Sequence, residues 1–460
     1  LPFGQSKYIA GIRKIRISCK VAVSAQQQRI SRSPAFVKSL HAFLARLLNG
    51  DAVMSDRDFR RLWLSSVLNT FGREISNLAI PLTAILLLHA TPSQMGALVA
   101  LEITPFALFS LPVGVWLDRR AKYPILVWNE FLFPFVLASI PLAWWFGLLS
   151  MGWLYVVAFM TGVGYVIGGG AQQVFVTHLV GRDHLIDAHS KLGATDSIAR
   201  LIGPGIGGML VHILTAPFAV LVDALGFVIS WRNLARIRNR DMRPPPTDSH
   251  PLRDMIDGLL LIWRHPVLWP LAWGIGIWQF LFNGYMALQV LFATRELQMS
   301  PGLLGTMQMM GGVGALISSM AMTPLNARFG TGVTILIGLV GTMLAWTALP
   351  CIPPALLDSP ALSALCYGGV MFLFDCSAML LLMPYIALRQ KVTPDEFLGR
   401  MTATMRFLTV AAAPLGSLGA GWIAENLGIR TGLATIAGGC IALTVLLLFG
   451  SPLRRIRDRE

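Results

Sequence analysis

Thr91-Pro92-x-x-x-Gly96 returns about 210 residues later as Ser300-Pro301-x-x-x-Gly305, and each copy opens an apolar segment that ends in a short polar turn. A second echo has nearly the same offset. It sets Gly203-Pro204-Gly205-Ile206-Gly207-Gly208 against Ala413-Pro414-Leu415-Gly416-Ser417-Leu418-Gly419-Ala420-Gly421. Upstream of each stands a similar polar lead-in, Val180-Gly-Arg-Asp183-His-Leu and Val392-Thr-Pro-Asp395-Glu-Phe-Leu. An offset of nearly half the chain reads as the duplication and fusion of one membrane half.

The surrounding composition carries the same message. Hydrophobic residues make up 55% and charged residues 13% of the chain, about half the charge of an ordinary soluble domain, and the mean hydropathy is +0.63. A spanning helix needs about 20 apolar residues. The apolar stretches predict spans over 62–88, 94–117, 123–147, 151–174, 190–213 and 217–235, then 267–293, 302–325, 331–350, 361–388, 401–424 and 429–450. The expected fold is therefore an all-α integral membrane protein of twelve transmembrane helices in two pseudo-symmetric six-helix halves, 54–235 and 267–450. A cytoplasmic linker at 236–266 joins them and a basic tail at 451–460 follows.

Basic residues set the expected orientation. One series of loops holds Arg119, Arg120, Lys122, Arg182, Lys191, Arg232, Arg236, Arg238, Arg240, Arg243, Arg328, Arg389, Lys391, Arg400 and the tail arginines, whereas the opposite series holds only Arg295 and Arg430. By the positive-inside rule, both termini and the linker are cytoplasmic, in a multi-pass protein of the cell (inner or plasma) membrane. The net charge of +14 then reports topology. It carries no aromatic-basic nucleic-acid motif, so no nucleic-acid partner is expected.

Residues 1–53 are of another material, with nine Lys or Arg against the single acid Asp51. They read as a disordered tail or as sequence foreign to the native protein. An Arg- and Ser-containing targeting peptide is a second reading. Phe36, Leu40, Phe43, Leu44 and Leu47 at helical spacing offer a third, an amphipathic helix lying on the membrane. Leu252, Ile256, Leu259, Leu260 and Trp263 in the linker suggest another such helix, after the run Arg243-Pro-Pro-Pro246. The five cysteines, Cys19, Cys351, Cys366, Cys376 and Cys440, lack metal-ligand spacing and are expected to be free thiols, with no metal bound.

Three motifs carry mechanism. Between the second and third spans stands Gly114-Val-Trp-Leu-Asp118-Arg119-Arg120-Ala121-Lys122. Gly114 allows close helix approach, and Asp118 suits the positive end of a neighbouring helix. This stretch resembles the loop signature of the major facilitator superfamily, with Ala121 where that pattern usually has a second glycine. The corresponding turn of the second half, Pro324-Leu325-Asn326-Ala327-Arg328, lacks the acid. Gly203-Pro204-x-x-Gly207-Gly208 matches the superfamily motif associated with antiporters, in which proline bends the helix and glycines admit a neighbour. Phe59-Arg-Arg-Leu-Trp63, Arg264-His-Pro266 and Leu398-Gly-Arg400-Met-Thr-Ala-Thr-Met-Arg406-Phe resemble the branch of drug and siderophore exporters of the macrolide and enterobactin type. The resemblance covers residues 57–456.

Charged side chains at membrane depth cost about 2.5–3.5 kcal/mol each on insertion scales and demand a role. Arg73, Glu74, Arg200 and Asp375 fall near mid-helix, with Gln279 and Asn283 one turn apart on the seventh span; these are the substrate and coupling candidates. Asp196, spaced i,i+4 from Arg200, is either a further site or half of a neutralising pair. Glu102 and Asp223 are further proton candidates, and Glu130 is also intramembrane. The duplication places Asp196 and Arg406 equivalently, each expected to face the opposite half. A latch of Asp118 with Arg406 or Arg400 is expected to hold the cytoplasmic side shut. His178 and His212 are expected to be packed or interfacial.

The function these features predict is secondary active transport by alternating access, with export of a small amphipathic, drug-like or siderophore-like molecule in exchange for protons. No cofactor is expected beyond the proton gradient, and the partners are the substrate, protons and the bilayer, the protein itself being a monomer. An uptake carrier and a ligand sensor that does not cycle are the alternatives. No Gly-x-x-x-x-Gly-Lys-Ser/Thr loop is present for ATP, and no His-Glu-x-x-His or Gly-x-Ser-x-Gly stretch for an enzyme.

Overall fold

The computed structural model describes residues 52–181, 184–238, 259–394 and 397–450, without the side chains of Ala52, Leu111, Val115, Asp118, Leu398, Gly399 and Arg400. The expectations for residues 1–51, for Arg182 and Asp183, for most of the linker and for the tail lie outside the described residues. A four-residue helix, Ala52–Ser55, belongs to a separate unit ending at Asp56, and everything below concerns the unit that begins at Arg57.

That unit is helical, with no strand among the described residues beyond one isolated bridge, Leu356 to Ser359. Its spanning helices are α1 (Arg57–Leu86), α2 (Pro92–Asp118), α3 (Lys122–Trp145), α4 (Met151–Val180), α5 (Leu185–Leu214), α6 (Ala216–Leu234), α7 (Leu268–Leu291), α8 (Pro301–Phe329), α9 (Thr331–Ala348), α10 (Pro360–Lys391), α11 in two pieces (Leu398–Val410 and Ala413–Leu427) and α12 (Ile429–Gly450). Eleven are apolar enough to count as spans by hydropathy. α1 is the exception, because Arg73 and Glu74 interrupt its apolar run.

The two motif prolines differ in their local effect. Pro204 leaves α5 continuous from Leu185 to Leu214. Its counterpart Pro414 does coincide with a break, after Val410. Proline there removes an N–H and crowds the carbonyl four residues back, which is that of Val410.

Within the first half α1 packs on α5 and α6, α3 bridges α4 and α6, and α2 lies on α4; in the second, α8 and α9 pack on α10, and α7 on α11 and α12. The halves meet along α5 against α8 and along α2 against α11. Both contacts use the sequence echoes. A Cβ added at Gly208 would lie 2.9 Å from the Gly305 Cα, and one added at Gly421 would lie 3.1 Å from the Gly96 Cα. Only glycine on both faces permits such backbone contact. The duplicated Thr/Ser-Pro-x-x-x-Gly and Gly/Ala-Pro stretches are thus the two crossing points of one pseudo-symmetric interface.

The turns repeat too. Thr91 and Ser300 cap α2 and α8 by accepting from the Gln94 and Leu303 N–H groups, while His89 and Gln298 before them share a left-handed backbone, at φ 49° and 54°. Thr215 and Gly428 open α6 and α12 with φ 73° and ψ 159° against φ 92° and ψ 152°. A β-branched residue in that region stores about 1–3 kcal/mol of strain. Thr215→Gly should therefore raise the thermal unfolding temperature of detergent-purified protein, with a gain of about 1 kcal/mol; an unchanged or lower midpoint would count against strain at Thr215.

The outer surface is apolar. On α3, Trp128, Leu132, Phe135 and Leu142 are exposed along one stripe, as are Trp422 and Phe449 in the second half, a face suited to lipid. Leu259, Leu260 and Trp263 of the linker stripe are likewise exposed, whereas Ile262 between them is buried. His265 follows, its Nδ1 accepting the Val267 and Leu268 N–H groups at the start of α7; partial burial pushes its imidazole below the ordinary range. Cys351, Cys366, Cys376 and Cys440 are free thiols.

Candidate functional site

Halfway along α1, α5 and α10 the structure brings together Arg73, Glu74, Asp196, Arg200 and Asp375. Glu74 lies within electrostatic reach of Arg73, Arg200 and Asp196, and Asp375, from the second half, within reach of Arg200 and Glu74. Two glycines of α8 open the path between halves. The Asp375 carboxylate occupies the space a Cβ would take on Gly311, while the next residue, Gly312, lies against the Arg200 carbonyl and the Leu201 backbone. Arg200 is exposed in the middle of its helix. A guanidinium at that depth needs water or acids about it, and Glu74 and Asp375 lie within electrostatic reach of this one.

Asp196 and Arg200 do not neutralise each other. Among the described residues no ion pair joins them; Asp196 instead accepts from the Thr70 hydroxyl of α1, at 3.2 Å. The pair that i,i+4 spacing allowed is not formed, because α5 is pressed between two partners and Asp196 faces α1 of its own half. The expectation that it faces the opposite half fails for the same reason. Arg406 does face the opposite half, its guanidinium carbon 5.5 Å from the Phe106 ring centre on α2.

A second set of acids lies inside the first half. Asp223 on α6 accepts from Ser76 and lies over Gly72 of α1, and Glu130 on α3 accepts from the Asn69 amide at 2.7 Å. Glu102 on α2 stands within electrostatic reach of Arg73. Tyr165 of α4 is placed among Asp223, Arg73, Glu102 and Glu74.

The second half buries aromatic rings in its core, where Trp278, Tyr285 and Trp346 are each 1% exposed. Trp278, Phe282, Tyr285, Trp346 and Phe374 form a continuous stack from α7, α9 and α10, with successive ring centres 5.0–6.4 Å apart. Tyr285 and Tyr367 both donate to Gln289 Oε1, at 3.1 and 3.4 Å. Gln279 is partly buried, and buried Asn283 donates to the Gln279 carbonyl at 2.8 Å.

The end of the bundle that carries the α1–α2 and α7–α8 turns is closed. Glu425 on α11 accepts from the Thr91 hydroxyl and the Ser93 N–H, both at 2.9 Å, across the halves. Arg295 donates to the Ala90 carbonyl at 2.8 Å. Arg430 pairs with Glu296 at 3.0 Å and donates to the Pro350 and Ile352 carbonyls. The two basic residues that stood apart in the loop count thus have structural partners.

Comparison with known proteins adds the lineage. The Major Facilitator Superfamily profile matches residues 62–408. The chain belongs to this superfamily. It is 25% identical to the multidrug efflux pump Tap of Mycolicibacterium fortuitum over 84% of this chain and 93% of that protein. To the enterobactin exporter EntS of Escherichia coli O1:K1 it is 24% identical, over 90% and 96%. Among solved structures, a bacterial homologue of the iron transporter ferroportin, in an inward-facing state, aligns over 88% of this chain and 99% of its own at TM-score 0.69 and 16% identity, a likeness of fold. The protein is accordingly a membrane transporter and not an enzyme, and it resembles the drug and siderophore efflux branch.

Facilitator motifs fall on distinct surfaces. In Gly203-Pro204-x-x-Gly207-Gly208, Gly203 and Gly207 face Glu74 and Ile75 of α1, whereas Gly208 faces α8. This motif therefore ties the charged cluster to the crossing between halves. Gly114 has open space where a side chain would stand, and Arg119 and Arg120 are exposed at the end of α2, while Lys122 is buried. The side chains of Asp118 and Arg400 lie outside the described residues, so the latch they were expected to form does too. His212 lies beside Gly302 and His178 near Phe175. Sequence reading passed over Tyr165, Glu425, Thr70 and the aromatic stack, none of which stands in a motif. The run of aromatics from Trp278 to Tyr285 was the signal available for the stack.

Proposed function

We propose that this facilitator is a proton-driven exporter of a small amphipathic molecule, binding it at the charged cluster where the halves meet (Arg73, Glu74, Arg200, Asp375) and releasing it as the two halves rock. The observation that carries the reading is the reach of Asp375 across Gly311 toward Arg200. It makes one electrostatic site from both halves, which rocking must break and remake. Relatives named as an efflux pump and an exporter support the direction. Gln279 and Asn283, one turn apart on α7, are the polar groups of the second half proposed to meet the substrate.

The protein is read as a monomer of the cell membrane with both termini cytoplasmic, so that the closed turn end is the outer end and the site opens inward. No cofactor enters. One proton moved down 100 mV supplies about 2.3 kcal/mol, enough for a gradient of roughly 50-fold in a neutral substrate. The test is movement of ethidium and of enterobactin, in parallel, by purified protein in liposomes under an imposed proton gradient. Movement against the proton flux, abolished by an uncoupler, is expected for one or both. Movement with the proton flux would make it an uptake carrier.

A further inference from the structure

Two carboxylates of the first half are buried beyond the central cluster and, among the described residues, have no cation hydrogen-bonded to them. Glu130 is 5% exposed and Asp223 1%. Each has one oxygen held by a neutral donor, Asn69 or Ser76, and one buried oxygen, Glu130 Oε2 or Asp223 Oδ1, without a hydrogen-bond partner. Asn69 Oδ1 and the Ser230 hydroxyl are unpartnered as well. Ser230 flanks Glu130 without forming a well-aligned hydrogen bond. Ser65 bonds the Ser230 carbonyl at 3.2 Å, so the antiparallel α1 and α6 set Glu130, Asn69 and Ser230 in one layer and Asp223, Gly72 and Ser76 in the next.

The charge balance decides what such a chamber holds. Arg73 lies within electrostatic reach of Glu74, Glu102 and Asp223, and Arg200 of Glu74 and Asp375, so two cations serve four acids of which only Asp223 belongs to this chamber. The groups that face Glu130 are Asp223 from α6 and the neutral Asn69 from α1. Asp223 is faced by Arg73 from α1, Glu130 from α3 and Tyr165 from α4. An ionised carboxylate met only by neutral donors in a buried site is costly, and a proton on its open oxygen removes the charge.

We propose that Glu130 and Asp223 form the coupling-proton site, off the central cavity, and that the central cluster is left to the substrate. Uptake makes one O–H bond on a carboxylate oxygen, and release returns that proton to water. α1 transmits the change: it turns Asn69, Gly72 and Ser76 toward the chamber and carries Arg73 and Glu74 at the cluster. Arg73 is within electrostatic reach of Asp223, Glu74 and Glu102 and, among the described residues, is ion-paired with none. Deprotonated Asp223 draws it toward α6; protonated Asp223 leaves it to Glu74 and Glu102.

This assignment rests on the proton-driven reading, and infrared titration of the purified full-length protein tests it without any substrate. The carbonyl band of protonated carboxyl groups near neutral pH is expected to lose intensity in Glu130→Gln and in Asp223→Asn, and to be retained in Glu130→Asp and in Glu425→Gln. An unchanged band in folded Glu130→Gln, or a band displaced by sodium chloride but not by choline chloride, would overturn the proton site, the latter in favour of sodium. Ethidium equilibration without a gradient should survive in Glu130→Gln while gradient-driven ethidium movement is lost. Failure of wild-type protein to move either ethidium or enterobactin against the proton flux would count against the export reading, whereas the infrared result stands on its own.

Discussion

Valine at Gly208 will open the turn end of the bundle. In the closed arrangement the Gly208 Cα sits on Gly305, so close that even a single added carbon would lie 2.9 Å from the Gly305 Cα. The neighbour is backbone on a continuous helix, which cannot move aside as a side chain can. Overpacking of this kind costs about 1–3 kcal/mol, and the penalty falls on the state in which α5 and α8 touch. A state with the halves parted at this end escapes it, so the balance shifts by about 5- to 150-fold. Labelling of Ser93→Cys by a membrane-impermeant thiol reagent reads this directly, because the Ser93 N–H is held by Glu425 across the closed end. The native cysteines must first be replaced, since Cys351 and Cys366 are exposed. Gly421→Val at the twin crossing should act in the same direction. Gly438→Val, where nothing stands within 4 Å, should do nothing. Equal labelling of Gly208→Val and Gly438→Val would mean that the glycine contact does not hold the end shut.

Those crossings were legible in the sequence because duplication marks what both halves must keep. Thr91-Pro92-x-x-x-Gly96 and its twin encode a cap, a first-turn proline and a contact glycine, and each is a local requirement that a short motif can state. The apolar runs gave the twelve helices for an equally local reason. Partnerships between helices were not legible. Spacing alone allowed Asp196 to meet Arg200, but whether it does depends on how α5 is rotated against α1, and Thr70 claims it. Glu130 stood in the sequence as one isolated acid. Its meaning came from Asn69 and Ser230, which are 61 and 100 residues away along the chain and adjacent only after α1, α3 and α6 pack. Glu425 was passed over because it carries no signature, although it ties α11 to the cap of α2. The aromatic stack shares this character, since Trp278, Trp346 and Phe374 come from three helices.

Arg200→Gln should slow gradient-driven transport about tenfold or more while leaving the fold intact. Arg200 is the cation within electrostatic reach of both Asp375 and Glu74, and its side chain is exposed, so its loss leaves no cavity in the core. What it removes is attraction between halves. Asp375 and Glu74 are then left to repel one another, with Arg73 still beside Glu74 but, among the described residues, no cation left to draw Asp375. A loss of about 1.4 kcal/mol in the state that joins the halves is a tenfold change in its population, and a transport cycle that must pass through that state slows at least in proportion. Asp375→Asn should produce a similar loss from the other side. The double variant decides whether the two act together: if they are partners, its defect will be close to that of either single change, whereas independent roles would make the losses multiply. Arg200→Lys separates charge from shape, because an ammonium keeps the attraction but offers no planar fork. Recovery in Arg200→Lys would assign the role to charge alone; continued loss with normal folding would mean that Arg200 acts through directed hydrogen bonds, to Asp375 or to the substrate.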